Sequence, residues 1–68
     1  MGKQLDISRV ELLAMEKCWG TAELQRRAGL ANQTLYKIRK GENRASARTV
    51  GKIARALGVK PEEILREV

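Results

Sequence analysis

The chain contains no histidine and a single cysteine, Cys18. Those two scarcities remove whole classes of chemistry. No Cys and His stand at metal-ligand spacing, no Ser-His or Cys-His nucleophile can be assembled, and Cys18 has no partner for a disulfide within the chain. A lone thiol suits a reducing, cytoplasmic setting, with Cys18 acting as a small apolar residue near a helix end. Also missing is any run of about 20 apolar residues able to cross a membrane, and the opening MGKQLDIS lacks the apolar stretch of a signal peptide. The sequence therefore reads as that of a soluble protein inside the cell. Paired carboxylates occur only as Glu62-Glu63. Adjacent helix positions do not converge on one substrate, and a place at the positive end of a helix explains both residues. No enzyme is expected and no cofactor is implied. Strand-like alternation, internal repeats, linkers and low-complexity segments are absent too.

Acidic residues are scarce in one region in particular. Residues 1–20 hold three charges of each sign, residues 21–60 hold ten positive and two negative, and residues 61–68 hold one positive and three negative. The net charge of +6 is thus concentrated in a middle block that carries +8 alone. Segregation of this kind is the electrostatic footprint of a polyanion partner rather than of a surface charged for solubility. With 68 residues the chain makes one domain. A domain near this size buries only about 60% of its unfolded surface, so a deep substrate cavity is not expected.

Helical periodicity accounts for the rest. Ser8 followed by Glu11 has the spacing of a capping box and predicts a first helix over about Arg9 to Cys18, with Val10 and Leu13 facing the core. If Gly20 is the next N-cap, Trp19 and Leu24 stand at the two positions of a hydrophobic staple that sets the angle between the first two helices. Residues 21–41 read as two short helices broken at Ala28-Gly29-Leu30. In the second of them Leu35 and Ile38 can face inward, while Asn32, Gln33, Tyr36, Lys37 and Lys40 fall on the opposite side. Amides and a lysine presented together are the groups that hydrogen-bond base-pair edges in a major groove. Ser46 is a plausible cap for a fourth helix, whose Val50, Ile53, Ala54 and Leu57 follow the spacing of one buried stripe. Gly58 would close that helix in a left-handed conformation, with Val59 folding back on it. Lys60-Pro61-Glu62-Glu63 has the proline and carboxylates that open a last short helix. The expectation is an all-α fold of five helices, with residues 1–7 as an N-terminal extension and 8–68 as the domain.

From about Ser8 to Leu65 the chain resembles the lambda-repressor-like helix-turn-helix family, the Cro/C1 or XRE type. The resemblance rests on Thr21-Ala22-Glu23-Leu24 opening the second helix, Ala28-Gly29-Leu30 at the turn, Leu35 and Ile38 inside the third helix and Gly41 closing it. Ile53-Ala54-Arg55-Ala56-Leu57-Gly58-Val59 and Glu63-Ile64-Leu65 look like the family's fourth and fifth helices. Two positions depart from the pattern. Gln25 stands where alanine is usual in the helix facing the recognition helix, and an outward tilt of its side chain is the expected accommodation, which would make Gln25→Ala neutral or stabilising. Ala31 replaces the usual Ser or Thr cap of the recognition helix, leaving Asn32 either to cap or to read bases.

The resemblance implies that helices 2 and 3 form the helix-turn-helix and that helix 3 enters the major groove of double-stranded DNA. Direct readout would fall to Gln33 and Lys37, with Asn32 and Tyr36 behind them. Thr21, Lys40, Asn43, Arg44 and Arg48 would hold the phosphate backbone, whereas Arg39, Lys52, Arg55 and Lys60 read only as background field. So small a domain needs a second copy, so a homodimer on a pseudo-palindrome is expected. Its apolar face would be the C-terminal group of Ile64, Leu65 and Val68, in which Ile64 itself reads as core, or else Leu12 and Met15 on helix 1. The implied function is sequence-specific transcription regulation, with repression by operator occupancy. The alternatives are an antitoxin that binds both DNA and a protein toxin, and an accessory factor for mobile-element recombination.

Overall fold

A computed structural model describes residues 3–31, 33–41 and 44–67. In chain order its elements are a strand β1 (Lys3–Leu5), helices α1 (Ile7–Glu16), α2 (Thr21–Ala28), α3 (Thr34–Arg39) and α4 (Ala47–Leu57), a 3-10 turn (Pro61–Ile64) and a strand β2 (Leu65–Glu67). The expected fifth helix is replaced by that single 3-10 turn, and the all-α expectation is corrected by a pair of antiparallel strands. Leu5 faces Leu65, Gln4 faces Arg66 and Lys3 faces Glu67. The Asp6 N–H donates to the Ile64 carbonyl at 2.8 Å, which extends the ladder by one bond. Thus β1 arises within the segment read as an extension, and Leu5 is buried in the core. Pro61 opens the turn as expected. Its first residues are locked when the Lys60 N–H donates to the Glu63 carboxylate at 3.0 Å and the Glu63 N–H donates to the Lys60 carbonyl at 2.9 Å.

The core gathers buried residues from β1, all four helices and the 3-10 turn, with α4 contributing most. Val10 of α1, Leu24 of α2, Leu35 of α3, Ile53 of α4 and Ile64 of the 3-10 turn are its most deeply buried large side chains. Each contributes about 1.5–3 kcal/mol through removal of apolar surface from water. Helix α4 supplies the full anticipated stripe, with Val50, Ile53, Ala54 and Leu57 all buried. Its N-cap is Ser46, whose hydroxyl accepts from the Thr49 N–H at 3.2 Å.

Helix α1 is shifted toward the N-terminus relative to the sequence reading. Its N-cap is Asp6 rather than Ser8, the Asp6 carboxylate accepting from the Arg9 N–H at 3.2 Å. It ends at Glu16, so Cys18 lies beyond it, exposed and in a left-handed conformation at φ 61°. Helices α1, α2 and α4 all close with the same pair of reversed bonds. In α1 these run from the Cys18 N–H to the Met15 carbonyl and from the Trp19 N–H to the Ala14 carbonyl, both 2.9 Å. Gly29 and Gly58 occupy the equivalent left-handed position after α2 and α4, where glycine carries no steric penalty. Cysteine does carry one. Cys18→Gly is therefore expected to raise stability by about 0.5–1 kcal/mol despite the added freedom of the unfolded chain. Chemical denaturation of the two proteins, read as a shift in midpoint at constant slope, measures it.

Candidate nucleic-acid interface

Helix α2 starts from Gly20 as N-cap, with Leu24 buried and Trp19 packed against the core at the two positions of the staple. The Arg27 guanidinium lies 4.7 Å from the centre of the Trp19 ring. Glu23 accepts hydrogen bonds from both Arg26 and Arg27 at 2.5 Å. The Arg26 bond, followed by that from Arg27, holds the Glu23 carboxyl below its ordinary value. Much of the positive charge on α2 is thus balanced locally, which leaves α3 and α4 to set the field.

The connection from α2 to α3 turns at Gly29 (φ 71°, ψ 32°) and turns left-handed again at Gln33 (φ 68°, ψ 6°). Helix α3 begins at Thr34, so Gln33 is its N-cap and not a residue of its first turn. No side chain of the N-cap residue serves the helix. Three other contacts hold it instead. The Thr34 hydroxyl donates to the Ala31 carbonyl at 2.9 Å. From the far side, the Gln25 Oε1 atom accepts the Leu35 N–H at 2.8 Å. Gln25 is buried, with 5% of its surface exposed, so the expected outward tilt is overturned. The reason is elementary: the first N–H groups of a helix have no partner within it, and a buried amide at the contact between α2 and α3 satisfies one of them.

The third contact comes from Arg39, the last residue of α3, whose guanidinium pairs with Glu11 of α1 and donates to the Thr21 hydroxyl of α2 at 3.3 Å. The same guanidinium lies 5.6 Å from the centre of the Tyr36 ring. Arg39 was read as background charge, yet it ties three helices together. No local signal reveals this, because its partners are 28 and 18 residues away. A groove of about 240 Å³ beside this contact, between α1, α2 and α3, has Met15 and Trp19 among its apolar walls.

Anchored in this way, α3 buries Leu35, half-buries Ile38, and leaves Gln33, Tyr36, Lys37 and Lys40 exposed. The structure thus brings together at one short helix three of the four residues read as base contacts and one read as a backbone contact. Arg44 and Arg48 are exposed on the approach to α4 and in its first turn. Thr21 is half-buried with its hydroxyl engaged by Arg39. Asn32 and Asn43 lie outside the described residues. Among the described residues no group of three or more His, Cys, Asp or Glu is placed to hold a metal ion, and no helix is long and apolar enough to cross a membrane.

A short helix braced from behind, with its polar face outward, is the arrangement of a major-groove reader. A family model of the Cro/C1-type HTH DNA-binding domain matches residues 5–67. The chain belongs to that family. No curated protein and no solved structure matches it. As a Cro/C1-type domain it is a DNA-binding transcription regulator whose partner is double-stranded DNA, with α2 and α3 as its helix-turn-helix.

Proposed function

We propose that this Cro/C1-type domain is a repressor that occupies operator DNA as a homodimer, in the reducing interior of the cell. The observation that carries the reading is the bracing of α3 by Gln25 and Arg39, which fixes a six-residue helix while Gln33, Tyr36 and Lys37 stay exposed. Gln33 pairs with adenine N6 and N7 and Lys37 with guanine O6 and N7, and Asn32 and Tyr36 complete the base-reading set. Thr21, Lys40, Asn43, Arg44 and Arg48 hold the phosphates and fix the register. Ile64 is fully buried and Leu65 half-buried against the core, which makes these two a poor surface for self-association; Val68 lies outside the described residues. Leu12 and Met15, three residues apart on α1 and 53% and 61% exposed, support α1 as the dimer face.

Selection from a pool of random duplexes at physiological salt tests the reading. Recovery of an inverted repeat with half-sites about 10 base pairs apart supports a dimeric operator binder. Weak, salt-sensitive retention with no recovered sequence refutes it and favours a protein that acquires specificity from a partner, as an antitoxin does. The backbone assignments have a separate signature. Arg44→Ala is expected to weaken all duplexes alike and to lower the slope of log affinity against log salt by about one per protomer, as measured by fluorescence anisotropy titrations at several salt concentrations.

A further inference from the structure

A second basic feature lies away from the exposed face of α3. A shallow groove of about 730 Å³ runs between α2 and α4. Its walls carry Arg27, Arg48, Lys52 and Arg55, and its floor is made of Ala28, Gly51 and Ala56. No carboxylate is among these lining residues. Arg27 is already engaged by Glu23 and the Trp19 ring, and Lys52 makes a long contact of 3.5 Å to the Gly29 carbonyl. Arg48 and Arg55 have no ion pair among the described residues.

Stability does not account for this arrangement. Arg48 sits in the first turn of α4, where the helix dipole favours an anion. It also stands four residues before Lys52, a spacing at which like charges repel. Only Arg55, in the last turn, has the sign the dipole prefers. Arg48, Lys52 and Arg55 follow the i, i+4, i+7 spacing of one helix face, directed away from the buried stripe. In the sequence they follow Lys37, Lys40 and Arg44, all exposed. From Arg48 to Arg55 the helix rises about 10 Å. Over that length one DNA strand presents about three phosphates. A floor of glycine and alanine leaves room for the backbone of a nucleic acid strand to approach.

We propose that the duplex flanking each operator half-site continues past α3 along the outer face of α4, its phosphates seated by Arg48, Lys52 and Arg55. This rests on the operator-binding reading and adds to it a bound length of DNA greater than the bases read. The consequence is an affinity that depends on flank length but not on flank sequence, as for any contact made to phosphates alone.

The test compares the wild-type chain with Arg55→Gln on two duplexes. One ends at the outermost base pair of the site recovered by selection, and the other is extended by about ten base pairs, one helical turn, on each side. The wild type is expected to bind the extended duplex more tightly and with a steeper salt dependence. Arg55→Gln should lose part of that gain, about one contact in three, lower the slope on the extended duplex by about one per protomer, and match the wild type on the short duplex. Equal behaviour of the two proteins on the extended duplex overturns the proposal, as does an equal loss on both lengths, which marks a diffuse field. A polyglutamate peptide that shifts the amide resonances of residues 48–56 while flanking DNA adds no affinity also overturns it and assigns the groove to an acidic protein segment. If selection recovers no site, the operator reading itself fails, whereas a recovered site with no flank effect refutes the flank contact alone.

Discussion

Gln25→Ala is expected to destabilise the domain by about 1–3 kcal/mol, because it strips the partner from a buried N–H at the start of α3. For a chain of this length each kcal/mol corresponds to a fall in melting temperature of about 4–8 °C. The effect should not be spread evenly. Helix α3 has six residues and no side-chain cap from its own N-cap residue, far fewer than an isolated helix needs to persist in water. Removal of the Gln25 bond should therefore loosen α3 before the rest of the domain, with the Leu35 amide exchanging with solvent faster than those of α4. Operator affinity should fall as well, since part of the binding energy would go to reordering the helix. Thermal denaturation together with hydrogen exchange measures both parts. An unchanged melting temperature would mean that the bond adds nothing, and the outward tilt read from the sequence would regain support.

Gln25 also shows how far the sequence can be read. Its departure from the family pattern was visible, and so was the tight contact in which it lies. What the pattern does not convey is direction. A polar side chain at a buried contact either leaves or finds a partner, and the partner, the Leu35 N–H, belongs to another helix whose start lay one or two residues later than the spacing suggested. The same limit explains the C-terminus. Proline, two carboxylates and a following Ile-Leu pair suit a helix locally, but Leu65 and Arg66 pair with residues 60 and 62 positions earlier, and strands of three residues are too short to show alternation. By contrast, the α4 stripe, the break at Gly29, the Gly58 cap, the positions of Trp19 and Leu24 and the inward pair Leu35 and Ile38 were legible, because each is fixed by neighbours within a few residues. Helix α1 was placed two residues late at both ends: Asp6 and Ser8 are both competent caps, and the left-handed residue that closes the helix is a cysteine where glycine is the usual signal. Of the interface, the exposed residue types were readable, but the bracing by Arg39 was not, since it depends on Glu11 and Thr21 being brought together by the fold.

The base-reading role proposed for Gln33 is separable from its role in the backbone by two substitutions at the same position. Gln33 is exposed and holds φ 68°, a conformation that costs a residue with a Cβ about 1–2 kcal/mol and that persists where something else benefits from it. Gln33→Ala keeps that strain and removes the amide. On the selected operator it is expected to cost about 1–3 kcal/mol and to relax preference at one base position. Gln33→Gly removes both, so the domain should become more stable by about 0.5–1 kcal/mol while discrimination is lost to the same extent. Competition binding against operators changed one base pair at a time reads the specificity, and denaturation of the free proteins reads the strain. If Gln33 serves only to turn the chain, the glycine variant will bind every duplex at least as tightly as the wild type and keep its base preference. Loss of preference in both variants, with stability raised in the glycine variant alone, assigns the amide to the DNA and the left-handed turn to its presentation.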